Sequence, residues 1–384
     1  MEEWKTYKLG ELLNIKYGKD HKSLSDGLFP AYGSGGIMRM VEKPIYDKPS
    51  ILIPRKGSLN NIIYTDSPFW TVDTMFWTII DKDIVLPHYL YYSIKDIDFA
   101  SLNVGSAVPS LTCPIIEAIE VTIPSISIQQ KILNCIEPID EKISLNNQIN
   151  HNLEEQAQAL YKSWFVDFEP FRGGKFVDSE LGLIPEGWKI GKINDVINLL
   201  SGFPFKSSDF QENGDYQLIT IKGVQDGYLD VTSADMLSSL PSKMPQYCIL
   251  NIGDILISLT GNVGRICIVD RNNLLLNQRV AILSPKNIRD SFYVYTMFRS
   301  ESMKDELIHL ARGTAQLNLS PIETGEKLTV IPPDSILEAF AKVGKGTFNQ
   351  YISLKMENIR LMEMRDALLP KLMSGDLKLN EIDC

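Results

Sequence analysis

Two textures of hydrophobic periodicity alternate along the 384 residues. In residues 1–124, and again in 185–333, short apolar runs are broken every 8 to 12 residues by Gly, Pro, Asn or Asp. Ile51-Leu52-Ile53 and the runs at 76–80 and 266–269 have the length and composition of β-strands. Stretches at 87–97 and 291–312 carry helical spacing, so the class is α+β. The other texture is purely helical. Ile132, Ile136, Ile139, Ile143, Asn146, Asn150, Leu153, Ala157, Leu160 and Trp164 are spaced alternately by four and three, and eight of the ten are apolar. A second run, Phe348, Ile352, Lys355, Ile359, Met362, Asp366, Leu369 and Met373, has six apolar positions of eight. Each is the seam of a coiled coil. Pro138 in the first run, and Gly344 with Gly346 at the second, predict a kink or restart. Polar residues on a seam set register, so Asn146 and Asn150 on one helix, with Lys355 and Asp366 on the other, disfavour a homodimer of either. They suit an intramolecular antiparallel pair. Pro170, Gly173-Gly174, Pro185 and Gly187 mark a linker at 169–184.

The strand-rich texture occurs twice because the sequence itself does. Trp4-Lys5, Leu9, Glu11-Leu12 and Gly18 return as Trp188-Lys189, Ile193, Asp195-Val196 and Gly202, each displaced by 184 positions. Ile51-Leu52-Ile53, Gly57, Asp66 and Tyr89 return at a displacement of 204 as Ile255-Leu256-Ile257, Gly261, Asp270 and Tyr293. Gly105-Ser106-Ala107 answers to Gly313-Thr314-Ala315 and Ile123-Pro124 to Ile331-Pro332, both displaced by 208. Insertions collect in loops while elements persist, so a slowly drifting displacement means one fold in two diverged copies. Two such copies, joined by rigid helices, suit a target with two similar but unequal parts, of which DNA read at two half-sites is an example.

Composition narrows the classes. An apolar fraction of 44% and a charged fraction of 22% are those of an ordinary globular protein. No run of about 18 apolar residues occurs and the N-terminus lacks a signal-peptide pattern, which gives a cytoplasmic expectation with no membrane partner. Five cysteines, Cys113, Cys135, Cys248, Cys267 and Cys384, stand far apart and never as Cys-x-x-Cys. They read as reduced, with no metal site. Four scattered histidines and the lack of a phosphate-binding loop or an Asn-Pro-Pro-Tyr tetrapeptide give no enzyme signal. The net charge of −10 opposes nucleic-acid binding. It is unevenly spread, however: residues 1–60 hold ten Lys/Arg against seven Asp/Glu, and 61–124 hold two against eight. Contacts are decided within a Debye length of about 8 Å, so an acidic total tolerates a basic face. Weak, salt-sensitive DNA binding by the chain alone, supplemented by a larger partner, is the expectation.

The phrase Leu160-Tyr161-Lys162-Ser163-Trp164-Phe165-Val166-Asp167-Phe168, followed by Ile184-Pro185-Glu186-Gly187-Trp188, resembles the central junction of the specificity (S) subunits of type I restriction-modification systems. Leu368-Leu369-Pro370-Lys371-Leu372-Met373-Ser374-Gly375-Asp376-Leu377 is similar to that family's closing phrase, and the helix lead-ins at Gln129-Gln130-Lys131 and after Ile331-Pro332-Pro333 fit it too. The second lead-in departs, with Leu337-Glu338-Ala339 where the first has Gln129-Gln130-Lys131. The resemblance implies two similar α/β target recognition domains, at 1–124 and 185–333. Between them it implies two long antiparallel coiled-coil helices, at 125–168 and 334–376 with a tail to 384, in a pseudo-two-fold arrangement. Such a subunit recognises a bipartite double-stranded DNA target and catalyses nothing. It docks two methyltransferase (M) subunits, which bind S-adenosylmethionine and methylate adenine, and in complete systems restriction (R) subunits join. The chain itself would hold no cofactor. A non-catalytic coiled-coil interaction scaffold without sequence specificity is the other reading.

Candidate contacts follow from the repeat. The loops 105–112 and 313–320 share small residues but differ at matched positions, which nominates Ser106, Ser110, Thr314, Gln316 and Asn318. Gln316 and Asn318 have the chemistry for bidentate bonds to adenine; an ordinary helix-capping turn fits the same pattern. Lys16, Lys19 and Lys22 around Gly18, and Lys206 after Gly202, set cations beside aromatics as phosphate grippers do, as would a solvated loop. Arg39, Arg55, Lys56, Lys222, Arg265 and Arg279 are further DNA candidates, each equally suited to a surface ion pair. Trp164, Phe165, Phe168, Leu369 and Met373 are candidates for docking the M subunit, with plain core packing as the alternative.

Overall fold

The computed structural model describes residues 4–105, 108–313 and 316–376. The chain divides into two compact units, Met1–Lys142 with Leu361–Cys384 and Ile143–Arg360. Both are mixed α/β and follow one plan. In the first unit a four-stranded antiparallel sheet runs in the order Leu13–Tyr17, Met75–Ile80, Ser50–Pro54, Ile63–Thr65; in the second the order is Ile197–Ser201, Val280–Pro285, Ile255–Ser258, Ile266–Ile268. A smaller sheet accompanies each, Gly36–Val41, Phe29–Gly33, Trp70–Thr71 in one and Met236–Leu237, Tyr216–Ile219, Leu274–Leu276 in the other, which adds Ile249–Leu250. In both small sheets the pairing of the last two shared strands is parallel. A two-stranded ribbon completes the plan, Lys5–Lys8 with Glu120–Ile123 and Lys189–Lys192 with Leu328–Ile331. Each opening strand runs into a single helical turn, where the backbone N–H of Lys8 or Lys192 donates to Glu11 (2.7 Å) or Asp195 (2.8 Å). This is the reason for the acidic residue at the same place in both copies.

The run Ile51-Leu52-Ile53 is apolar throughout because its strand is covered on both faces. Ile51 and Ile53 join the core that contains Tyr89, Leu90 and Ile94, and Leu52 packs with Phe69 and Met75. In the second unit Ile255 and Ile257 face the core with Tyr293 and Val294, while Leu256 joins Cys267 and Leu276. The segment 291–312, expected as one helix, is two, Ser291–Arg299 and Glu301–Leu310. The break lies at Ser300, whose hydroxyl accepts the backbone N–H of Met303 (3.3 Å) as an N-cap.

Two long helices, Ile126–Tyr161 and Asp334–Met373, contribute segments to both units. Neither is interrupted where a break was expected: Pro138 lies inside the first, Gly344 and Gly346 inside the second. Pro138 is exposed, and Ile132, Leu133 and Ile136 just before it are buried in the first unit's core, so packing holds the helix through the missing N–H. Gly344 has a packing reason. A Cβ there would lie 1.9 Å from two ring carbons of Phe292, which is buried and stacked on Phe340 with centroids 5.0 Å apart. At Gly346 a Cβ would meet nothing within 4 Å. Alanine favours a helix interior over glycine by roughly 1 kcal/mol, and overpacking a core costs about 1–3 kcal/mol. Gly346→Ala is therefore expected to raise the urea midpoint of unfolding and Gly344→Ala to lower it.

Within the second unit the helix segments run antiparallel, with Asn146 bonded to Asn358 and Trp164 packed on Phe340. The Asn146 Nδ2 donates to Asn358 Oδ1 (2.9 Å) and Glu357 Oε2 (2.8 Å), and Asn358 Nδ2 donates to Asn147 Oδ1 (2.8 Å). In the first unit Arg365 donates to Asp140 (2.7 Å), and Leu369 and Leu372 are buried in the core with Ile132 and Ile136. The seam expected on the second helix holds at Leu369 and Met373 but departs at Met362 and Asp366. Asn358 is buried and Arg365 half-buried, whereas Met362 and Asp366 are exposed.

The segment read as a linker is folded: a 3₁₀ turn at Glu169–Phe171 and a hairpin of Phe176–Ser179 with Gly182–Pro185. Cys113, Cys248 and Cys267 carry free thiols. Among the described residues no helix is long and apolar enough to cross a membrane.

Candidate nucleic-acid interface

The two candidate loops are clamped by the same backbone bonds. In the first unit Leu111 N–H donates to Arg55 O (2.9 Å) and Gly57 N–H to Pro109 O (3.2 Å); in the second Leu319 N–H donates to Leu259 O (2.7 Å) and Gly261 N–H to Leu317 O (2.9 Å). The glycine that opens each loop lets it close on itself, since a Cβ would lie 2.0 Å from Val108 O at Gly105 and 2.2 Å from Gln316 O at Gly313. Ser106 and Thr314 lie outside the described residues. Among the described residues Ser110 therefore corresponds to Asn318, and Val108 to Gln316, on one shared frame.

The frames are pinned by different side chains. In the first unit Asn103 does this: its Oδ1 accepts from Gly105 N–H and Ser110 N–H (2.8 Å each) and its Nδ2 donates to Gly105 O (3.0 Å). Sequence reasoning missed Asn103, although Asn two residues before Gly is a turn signal. In the second unit Asn318 takes over. Its backbone exchanges bonds with Arg312 (2.9 and 2.8 Å), its Oδ1 accepts from the Thr260 hydroxyl (2.9 Å), and its Nδ2 donates to Gln316 O (3.1 Å). The amide nominated as an adenine reader is thus already engaged. Gln316 remains exposed.

Of the cations, the side chains of Arg39, Arg55 and Arg265 are hydrogen-bonded within the chain. Arg39 donates to Leu24 O (3.0 Å) and to Asp26 (2.6 Å), tying down its own loop, and Arg265 is hydrogen-bonded to Gln225. Lys16 is half-buried on its strand; Lys19, Lys22, Lys56, Lys206, Lys222 and Arg279 are exposed. The Gly18 loop is fixed from below, with Lys19 N–H donating to Thr71 O (2.9 Å) and Trp70 Nε1 to Lys19 O (3.0 Å). Phe203 N–H makes the corresponding bond to Leu276 O (3.0 Å) after Gly202. Arg55 links the Gly18 loop to the clamped loop in the first unit: its guanidinium lies 5.5 Å from the Tyr17 ring centroid and its Nη1 donates to Asp73 O (3.1 Å). The Cys113 thiol, 3.6 Å from the Tyr17 hydroxyl, raises that phenol's pKa, while Arg55 pulls the other way. Lys56, bridged to Ser110, thus lies next to Arg55, which sits over Tyr17 and, through it, beside Cys113.

The aromatic residues nominated for docking are largely occupied within the chain. Phe165 is buried, 4.7 Å from the Phe340 centroid and 4.9 Å from Tyr293. Leu369 is buried in the first unit's core. Trp164, Phe168 and Met373 are half-buried. Phe168 adopts φ of 51°, a left-handed conformation uncommon for a bulky residue, and its ring packs edge-on against Trp188 at 5.3 Å. The changed lead-in follows the same logic of packing. Gln129 is fully buried because its amide accepts from Leu86 N–H (2.8 Å) and donates to Ile84 O (3.1 Å) and Pro124 O (2.9 Å). Leu337, in the matching place, is simply buried in the apolar core of the second unit.

Residues 1–155 and 185–334 match the family described as Type I restriction modification DNA specificity domain. The chain belongs to that family. It is 29% identical over 350 residues to the MjaIX type I restriction enzyme specificity subunit of Methanocaldococcus jannaschii, spanning 88% of this chain and 80% of the relative. It is 26% identical over 464 residues to the HindI specificity subunit of Haemophilus influenzae, spanning 98% of this chain and 100% of the relative. A crystal structure of a type I restriction-modification S subunit from M. genitalium shares the fold, with a TM-score of 0.58 at 16% identity over 97% of this chain and 96% of that one.

Proposed function

We propose that this chain reads a bipartite double-stranded DNA target, one half-site per unit, and carries methyltransferase subunits that modify adenine, while catalysing nothing itself. The observation that carries this reading is the pair of loops with identical backbone clamps and different exposed residues, Val108 in one and Gln316 in the other. A duplicated frame with diverged tips is what two unequal half-sites require, because base identity is read by side chains and not by the frame. Lys19, Lys22, Lys56, Lys206 and Lys222, all exposed, supply charge for phosphate contacts. S-adenosylmethionine belongs to the partner in this reading.

Docking of two partner subunits has support in a pair of matched grooves. One, about 500 Å³, is lined in the first unit by Tyr92, Val121, Leu369, Pro370 and Met373; the other, about 310 Å³, is lined in the second by Tyr161, Val166, Phe168, Trp188 and Val330. Each lies where the final turns of a long helix meet the two-stranded ribbon. The long helices, about 54 and 60 Å at 1.5 Å per residue, would set the gap between half-sites.

Mapping methylated adenines in a genome that expresses this chain with its methyltransferase subunits tests the reading. A split motif is expected, and transplanting residues 313–320 in place of 105–112 should change one half of it and leave the other unchanged. Methylation without sequence preference would instead favour a scaffold.

A further inference from the structure

The repeat hides a correspondence that alignment cannot show. At the displacement of 204 that holds from Ile51 to Tyr89, Arg55 aligns with Leu259 and Arg279 aligns with Met75, so neither arginine has a basic counterpart. Backbone pairing tells a different story. In the first unit Arg55 N–H donates to Thr74 O (2.8 Å), continuing the antiparallel register Ile53↔Phe76, Pro54↔Met75 by one further pair. In the second, Leu259 N–H donates to Arg279 O (3.0 Å), continuing Ile257↔Ala281, Ser258↔Val280 in the same way. Arg55·Thr74 and Leu259·Arg279 are thus the same cross-strand pair. Directly opposed residues project from one face of a sheet. Each unit keeps one guanidinium at that position, borne by one strand in the first copy and by its neighbour in the second.

Two further observations point to an external ligand. Among the described residues neither arginine has a carboxylate partner, whereas Arg39, Arg172, Arg271, Arg289, Arg299, Arg312 and Arg365 all do. Both also adjoin the clamped loops, because Leu111 N–H and Leu319 N–H donate to the carbonyls of Arg55 and Leu259. We propose that this cross-strand position is a phosphodiester-binding site, present once in each unit, at which Arg55 and Arg279 grip the DNA backbone. The preserved charge is the argument for phosphate over base. The loop tips have diverged as readers of different bases would, while a guanidinium has been kept at one place after changing strands. A contact kept in both copies serves what both half-sites share, and that is the backbone.

This inference rests on the DNA-reading function proposed above. Its test uses the complete complex with methyltransferase subunits, and measures salt-dependent binding to its own methylated motif and to an unrelated duplex. Arg55→Ala and Arg279→Ala should each weaken both duplexes alike and lower the slope of log K on log[salt] by about 1. The decisive variants move the charge to the other strand. Arg55→Leu with Thr74→Arg, and Leu259→Arg with Arg279→Thr, should restore the wild-type slope. Relocated variants that melt and bind methyltransferase like wild type, yet keep the alanine variants' slope, would overturn the proposal. So would a loss confined to one base pair of the motif, which would make the arginines base readers. If the wild-type complex binds no DNA, the DNA-reading function itself falls, an outcome distinct from either.

Discussion

Phe165→Ala is expected to destabilise the isolated chain by about 3–5 kcal/mol. Phe165 is 9% exposed and sits among Tyr161, Trp188, Tyr293 and Phe340, with centroids 5.3, 5.8, 4.9 and 4.7 Å away. Truncation removes most of a buried ring, and edge-to-face pairs such as those with Tyr293 and Phe340 add roughly 0.5–1.5 kcal/mol beyond area alone. Collapse into the void is hindered, because the neighbouring rings are held by one another: Phe340 is also stacked on Phe292 and Trp164 packs on Phe171. The upper half of the range is therefore expected. Urea unfolding followed by far-UV circular dichroism reads this directly. The same experiment separates core from interface. A docking anchor truncated to alanine would leave the free chain's midpoint unchanged and weaken only the complex, whereas Phe165→Ala should move the midpoint before any partner is added.

That contrast marks where sequence reading reached its limit. The strands were legible because runs such as Ile51-Leu52-Ile53 are covered on both faces, and the repeat doubled the signal at each. Two positions of the second helix, Met362 and Asp366, were misphased for a physical reason. An apolar count prefers Ile359 and Met362, but the observed seam is held by Asn358 and Arg365, whose partners Asn146, Asn147 and Asp140 lie on the other helix. Paired polar groups are as buried as leucines once both partners are present, and a single helix pattern does not contain the partner. The break at Ser300 was missed for a local reason, since its N-cap bond to Met303 is not an apolar-spacing signal.

The candidate site divides along the same line. Glycines and small residues located both loops. Which side chains are free to meet DNA depends on bonds made across the fold. Arg39, Arg265 and Asn318 had suitable chemistry and are engaged with Asp26, Gln225 and Thr260. Arg55 and Arg279 share a position only through strand register, which no displacement within the sequence encodes.

The polar counterpart of Phe165 is Glu154, and Glu154→Ala is expected to destabilise the second unit by about 2–4 kcal/mol. Glu154 Oε1 accepts from Arg299 Nε (3.1 Å) and Oε2 accepts from the Tyr295 hydroxyl (2.6 Å). The pair is mostly shielded, with side-chain exposures of 15% and 16%. Burial opposes the charge on Arg299, but Tyr295, Glu154 and Asp226 together raise its pKa, so it stays protonated. Burial, with Tyr351 and Glu154 alongside, raises Tyr295 well above the ordinary phenol range, so its hydroxyl remains a donor. The network continues through Tyr351, which donates to Gly227 O (3.0 Å), a carbonyl that also accepts from Lys355 Nζ (2.8 Å). Removing the carboxylate leaves Arg299 with Asp226 and Tyr295 with Tyr351, which is why the loss should fall short of the roughly 3–5 kcal/mol for a buried charge left alone. Glu154→Gln keeps the shape and one acceptor, and should lose less than alanine. Arg299→Met combined with Glu154→Ala should recover part of the deficit, because the uncompensated guanidinium is then gone. Additive losses in that double-mutant cycle, measured by urea unfolding, would mean that the two residues act independently and that the network does not hold the helix segments to the fold.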